Sequence, residues 1–362
     1  MKCLLLKMLL TFIWLTSMIA CVWYIYSHGN VTPVISHRIS HLHLKKSFPN
    51  SSRTCFNTGN KNTKVLKQVM ERYNEKWKKQ EDNMNRLRSE LNNSCQGISE
   101  AIITQDNTPV GTQIKYDGEK NTLCKVTPNL FSTFSKEQPL KIFIRKTCAV
   151  VGNGGILVNS SCGEEINSAQ IVIRCNLPPL GDSYNEDVGN KTDLVTANPS
   201  ILLEKFQGLT EWRRPFLETM SNYGDSLLLL PAFSYIPNTP LSLRALYTLQ
   251  EFGSPARPVF LNPRYLSGLA RFWNARGLAV ARLSTGFIAA SLALELCADV
   301  HLYGFWPFPL HPSGCHPLPN HYYDNRLGKK VHKMDTEFER LLSLHKEGVL
   351  KVHLGKCQTD PR

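Results

Sequence analysis

The 362-residue chain has no Asp-x-Asp pair, no His-Glu-x-x-His, no complete Gly-x-Gly-x-x-Gly and no internal repeat. The first absence removes the paired carboxylates that commonly hold Mg²⁺ or Mn²⁺ beside a phosphorylated substrate. The second removes the zinc-protease helix, and the third the dinucleotide fingerprint. Acidic residues are also scarce, 29 Asp+Glu against 42 Lys+Arg, for a formal net charge of +13. That balance suits anionic partners such as phosphates or acidic sugars, and says nothing of fold. Apolar residues make up 42% of the chain and charged residues 20%, which excludes a wholly disordered chain and a multi-span transporter.

Long apolar runs are absent except for one. Met8 to Ser27 carries no charge and has the length of a helix crossing a bilayer core of about 30 Å. Trp23, Tyr24 and Tyr26 gather at its end, and Lys2 and Lys7 precede it, as expected of a retained anchor with a cytoplasmic N-terminus. The expected organisation is a tail at 1–7, an anchor at 8–27, a stem at 28–104 and a main domain at 105–362. Sequons at Asn30, Asn50, Asn92, Asn159 and Asn190, with eleven Cys, place the remainder in an oxidising lumen. There, disulfides are the default expectation for cysteines outside the membrane, and a nucleic-acid partner is excluded.

In the stem, Leu66, Met70, Tyr73, Trp77, Met84, Leu87 and Leu91 recur at helical spacing, which predicts one amphipathic helix over 64–91 packed on the main domain. After residue 140, short apolar runs alternate with helical stretches: CAVVGNGG, QIVIRCN, TDLVTAN, SLLLLPAF, PVFLNP and VHLYGFW. This predicts an α/β domain with a largely parallel sheet. Helices are expected within 200–222 and 264–276, and over STGFIAASLALELC.

Three constellations bear on chemistry. Gly152, Gly154 and Gly155 follow an apolar strand, so they form either a tight turn or a place where backbone approaches a phosphate or ribose. Ser284-Thr285-Gly286 opens the apolar helix and reads as a cap or as an anion-binding helix start. His321-Tyr-Tyr-Asp324 and His332, with Glu337 five residues on, hold imidazoles that are structural or serve as acid or base near neutral pH.

Taken together these segments resemble the four sialylmotifs of animal sialyltransferases, glycosyltransferase family 29. CAVVGNGGILVNSSCGEEINSAQIVIRCNLPP resembles the large motif and RLSTGFIAASLALELCADVHLYGFWPF the small one. HYYD resembles the third, and His332 with Glu337 the very small His-x4-Glu motif; the likeness runs over roughly residues 105–357. RCNLPP, YGFWPF and NTPVGT are similar to the α-2,8 branch, nearest its ganglioside and short-chain enzymes. Polymer-forming members carry a dense basic stretch where residues 244–282 hold scattered Arg.

The resemblance implies a Rossmann-like GT-A-type variant fold, CMP-sialic acid as donor, a sialylated glycolipid or glycoprotein as acceptor, inversion and no metal. It implies a single-pass type II protein of the Golgi membrane, with a homodimer left open. It assigns Asn153, Asn176, Ser284, Thr285, Gly286 and Trp306 to the donor, His321 to its phosphate and His332 to proton removal. It pairs Cys148 with Cys297 and Cys162 with Cys357. A different nucleotide-dependent enzyme is disfavoured by the incomplete dinucleotide fingerprint. An inactive glycan-binding protein on the same fold is disfavoured by the intact His321, His332 and Glu337.

Overall fold

The structure, a computed structural model, describes residues 61–140, 144–314, 316–325 and 333–357, together with Thr16; at 61–63 and 182 it describes the backbone alone. The expected anchor at 8–27 (Thr16 apart) and the sequons at Asn30 and Asn50 lie outside the described residues. Among the described residues no helix is long and apolar enough to cross a membrane. Residues 53–362 form one compact unit.

In chain order the unit begins with helices α1 (Lys61–Tyr73) and α2 (Glu81–Cys95), the hairpin β1 (Gln113–Lys115) and β2 (Leu123–Lys125), and α3 (Pro128–Phe131). Then come β3 (Arg145–Val151), α4 (Gly163–Ser168), β4 (Ile171–Arg174), α5 (Asp182–Val188) and β5 (Leu194–Thr196). Next are α6 (Pro199–Glu204), α7 (Arg213–Ser221), β6 (Leu227–Leu230), α8 (Asn238–Glu251) and β7 (Arg257–Phe260). The last are α9 (Pro263–Ala275), α10 (Thr285–Leu296), β8 (Cys297–Tyr303), α11 (Met334–Lys346) and β9 (Lys351–His353).

Strands β3 to β9 form one sheet in the order β7-β6-β5-β4-β3-β8-β9, and every pair in it is parallel. The six apolar runs all become strands, and the central ones are buried on both faces, as at Leu227–Leu230, where every residue is buried. Strand order reverses between β3 and β8. In an open parallel sheet such a reversal leaves a crevice at the carboxyl ends of the strands, and ligands bind there.

Helix α10 is apolar around its whole circumference, and nine of its twelve residues are buried, as such a pattern requires. Its end is held by Arg88 of α2, whose guanidinium donates to the Leu294 and Cys297 carbonyls. A cation there also complements the helix dipole.

The single helix expected over 64–91 is two. Between them the chain turns to bond the α11–β9 connection: the Gln80 N–H donates to the Gly348 carbonyl at 2.9 Å and the Trp77 indole to Leu350 at 3.0 Å. These fixed partners outweigh continued helix. The helices do pack on the main domain, for Leu66, Met84 and Leu91 belong to its core. Ala101, Ile102 and Ile103 are buried too, so packing continues across the expected boundary at 104/105. The stretch 200–222 is likewise broken, by Gly208 at φ +65°.

Disulfides join Cys148 to Cys297 and Cys162 to Cys357. The first lies between the paired strands β3 and β8; in chain-entropy terms a closed loop of 149 residues is worth about 5 kcal/mol. The default expectation fails for Cys95, Cys124 and Cys175, which carry free thiols. Burial pushes the Cys95 and Cys175 thiols up to about 12, so neither forms the thiolate that exchange requires. Asn92, Asn159 and Asn190 are exposed, as glycan acceptors must be.

Buried Glu295 on α10 accepts the Tyr265 hydroxyl at 2.5 Å. Burial pushes its carboxyl up to about 7, against the smaller opposing effects of Tyr265 and Arg88. Between about pH 4.5 and 7 the folded chain therefore holds a proton that the unfolded chain has released, and stability from this group falls as pH rises through that window. Glu295→Gln should be stabilised relative to the parent at pH 8, on the order of 1–3 kcal/mol, and should lose that advantage at pH 5. Thermal midpoints of both proteins across this range check it.

Candidate active site

The candidate site lies where β3 and β8 end side by side. The Gly152 N–H donates to the Tyr303 carbonyl at 2.7 Å and the Gly154 N–H to Gly304 at 3.0 Å, extending the ladder into the loops. A Cβ on Gly152 or Gly154 would stand 2.8 or 2.6 Å from the Gly304 carbonyl oxygen, and one on Gly155 2.1 Å from that of Pro319. These glycines are thus pressed between two other backbone segments, so the close approach they allow is that of protein to protein. Gly286 is similar, with the Phe305 ring 3.0 Å from where its Cβ would be.

The third motif closes over the same loop. Gly154 bridges His321, and the Tyr322 N–H donates to the Asn153 carbonyl at 2.9 Å. His321 Nδ1 lies 2.8 Å from Asp324 Oδ1. A carboxylate only accepts, so Nδ1 carries the proton and the ring orientation is fixed. The ring also stacks on Tyr323 at 5.2 Å.

Asn153 sends its Nδ2 to the Cys175 carbonyl at 2.8 Å, while its buried Oδ1 has no hydrogen-bond partner among the described residues. A buried acceptor left unmatched is costly, and a donor on a bound ligand would satisfy it. Asn176 sits in the left-handed region at φ +63°, which Asn tolerates, and its N–H donates to Thr196 Oγ1 at 2.9 Å. Its side chain accepts from the Asn198 N–H at 3.3 Å. Asn198 in turn meets the Thr285 hydroxyl, 2.8 Å from Nδ2 and 3.0 Å from Oδ1. A chain of polar contacts therefore runs from the large-motif turn to the start of α10.

At that start Ser284 is both cap and ligand candidate. Its Oγ accepts the Phe287 N–H at 3.1 Å, and its hydroxyl proton still has a bond to give. The Ser284 N–H donates to Glu337 Oε1 at 2.7 Å. Glu337 is 3% exposed, so this carboxylate ties α11 to the first turn of α10. Its five-residue offset from His332 marks it as that histidine's candidate partner, and it holds Ser284 as well. His332 itself lies outside the described residues. Trp306 is buried, its indole donating to the Leu310 carbonyl at 2.7 Å and its ring edge-on to Phe308 and Phe338.

Thus Asn153, Asn176, Ser284, Thr285, Gly286 and His321 converge on one end of the sheet. Asn198 and Arg174 were not anticipated. Arg174 is fully buried and donates to the carbonyls of Val188 and Lys191, holding the loop before β5; burial lowers it to about 10. An Asn just before a Pro-started helix, as at Asn198-Pro199, was the available signal for the first. Arg174, inside an apolar strand pattern, offered only its oddity.

The model of glycosyltransferase family 29 (sialyltransferase) matches residues 98–349. The chain is 46% identical over 284 residues to alpha-2,8-sialyltransferase 8F of Mus musculus, covering 78% of this chain and 71% of that one. It is 44% identical over 283 residues to alpha-2,8-sialyltransferase 8E of Homo sapiens, covering 78% and 75%. It is 42% identical over 297 residues to alpha-N-acetylneuraminide alpha-2,8-sialyltransferase of Xenopus laevis, covering 82% of each. A crystal structure of a mammalian sialyltransferase in complex with Gal-beta-1-3GalNAc-ortho-nitrophenol aligns over 71% of this chain and 91% of that one, at 20% identity and a TM-score of 0.48. The chain belongs to glycosyltransferase family 29, the sialyltransferases.

Gly154→Ala places a methyl against the Gly304 carbonyl, an overpacking worth about 1–3 kcal/mol. The variant should fold with a lowered thermal midpoint, and its turnover should drop at least tenfold with a raised KM for the donor.

Proposed function

We propose that this chain transfers sialic acid from CMP-sialic acid to the 8-hydroxyl of a terminal sialic acid on a glycolipid or glycoprotein, with inversion and without a metal. One observation carries the reading: the carboxylate of Glu337 grips the Ser284 amide. It thereby ties α11, the helix that follows His332 in the chain, to a helix start able to hold an anion, at the same end of the sheet as Asn153 with its unmatched acceptor. The α-2,8 linkage is supported by the names of the relatives at 42–46% identity.

In this reading the acceptor oxygen bonds to the anomeric carbon of the donor sugar as the bond from that carbon to the phosphate oxygen breaks. The electron pair leaves with CMP, and the acceptor's proton passes to His332. Imidazole, with an ordinary pKa near 6.5, suits such a transfer in a mildly acidic compartment. The charge that grows on the phosphate meets the dipole of α10 and the Ser284 and Thr285 hydroxyls, donors held in place before reaction, with His321 beside it. Those groups do the work a divalent cation does elsewhere. Asn153 and Asn176 hold the nucleotide, while Gly286 and Trp306 shape the pocket by packing. The remaining organisation follows the sequence: tail 1–7, anchor 8–27, stem 28–104 and catalytic domain 105–362, as a type II protein of the Golgi membrane with its domain in the lumen.

The test incubates the full chain with CMP-sialic acid and, side by side, a sialylated glycolipid and a sialylated glycoprotein, with linkage analysis of the products. An α-2,8-linked disialyl product, formed at a rate that added Mg²⁺ or Mn²⁺ does not raise, is expected. His332→Ala should reduce turnover by at least about a hundredfold while CMP binding persists. Normal turnover by that variant, or activity appearing only with manganese, overturns the proposal.

A further inference from the structure

Away from the crevice, the edge of the sheet carries a cluster that the transfer chemistry does not use. His301 on β8, His353 on β9 and Glu165 on α4 converge there. His301 Nδ1 and His353 Nε2 are 3.0 Å apart, Glu165 Oε1 is 3.6 Å from the latter and 4.0 Å from the former. We propose that these three side chains form a zinc site, structural in role and separate from catalysis.

The argument is geometric. A triangle with those sides has a circumradius of about 2.1 Å, so one point stands that far from all three atoms, the distance zinc keeps to imidazole nitrogen and carboxylate oxygen. That point lies in the plane of the three atoms; a tetrahedral ion at such lengths needs ligands roughly 3.3–3.6 Å apart, so binding spreads the two imidazoles and draws Glu165 toward His301 by about half an ångström. Two imidazoles and one carboxylate form a nitrogen-rich set that favours zinc over magnesium or calcium.

The surroundings hold the ligands in place, as supporting residues at metal sites do. The Tyr303 hydroxyl donates to Glu165 Oε1 at 2.9 Å, and its ring stacks on His353 with centroids 4.2 Å apart. Cys357 Sγ lies within 4.8 Å of the Glu165 and His353 ligand atoms, but it is bonded to Cys162 and supplies no thiolate. The fourth position falls to water. Lys351, opposite His301 in the strand register, carries its ammonium toward the Trp77 ring, 5.7 Å from the centroid.

A cation here would tie together three elements, one before the large-motif strand β4, one leading into Gly304 and one near the end of the chain. Its loss would loosen the sheet edge and leave the transferring groups in place, so failure of this idea is distinct from failure of the proposed reaction. The purified full chain, stripped of metal in detergent, is titrated with zinc chloride by calorimetry, and with Co²⁺ by visible absorption. One equivalent of zinc, a raised thermal midpoint and a tetrahedral Co²⁺ band are expected. Both His301→Gln and Glu165→Gln, changes at partly exposed positions, should weaken uptake by more than about tenfold. Tyr303→Phe, which leaves all three ligands in place, should weaken it less. A flat zinc titration of the parent chain, or uptake that neither ligand variant alters, overturns the proposal.

Discussion

The pairing of β3 with β8 is the contact on which the rest of the molecule depends. Six register pairs from Arg145–Cys297 to Val151–Tyr303 align the strands, and a disulfide crosses between them at Cys148. Because the two strands end level, their following loops meet, and the Gly304 carbonyl lies against Gly152 and Gly154. Everything placed at the crevice inherits its position from this clasp. His321 reaches it through the bridge to Gly154, and α10, which leads directly into β8, presents Ser284 on the other side.

Charge is handled at the crevice by fixed dipoles and buried side chains. Glu337, almost wholly enclosed, holds one backbone amide of the helix start with its carboxylate. The negative group meets the helix start from α11, while the Thr285 hydroxyl bonds Asn198, which in turn reaches Asn176. Such an arrangement positions the helix start before any ligand arrives, and preorganisation of that kind is where most electrostatic stabilisation of charge comes from.

Much of this was legible in the residues. Six apolar runs bounded by Gly, Pro and Asn gave six strands, since burial on both faces leaves an unbroken apolar signature. The circumference of α10 announced a central helix for the same reason. Contacts distant in sequence were not legible. The break between α1 and α2 arises from carbonyls at 348 and 350, some 270 residues away, and no local propensity encodes it. The roles of the glycines were half legible: their need for closeness was plain, but not that a second loop, from β8, supplies the neighbour. Glu337 showed its spacing to His332, while its bond to Ser284 depends on the packing of α11 against α10. The short strand β9 and the hairpin β1–β2 have too few residues to display a period.

The order of the strands has a consequence for biosynthesis. Strand β3 lies in the middle of the finished sheet, yet one of its two neighbours is encoded 149 residues later. At roughly 5–20 residues per second a ribosome needs about 7–30 s to deliver it. For that interval the growing chain exposes an apolar strand with one unpaired edge and a lone reactive Cys148, the kind of surface that invites association with other chains. The sheet can be completed only once β9 has been synthesised, and Cys357 follows its partner Cys162 by 195 residues. A newly made chain that stalls or terminates early thus has no intermediate resting state in which the crevice already exists.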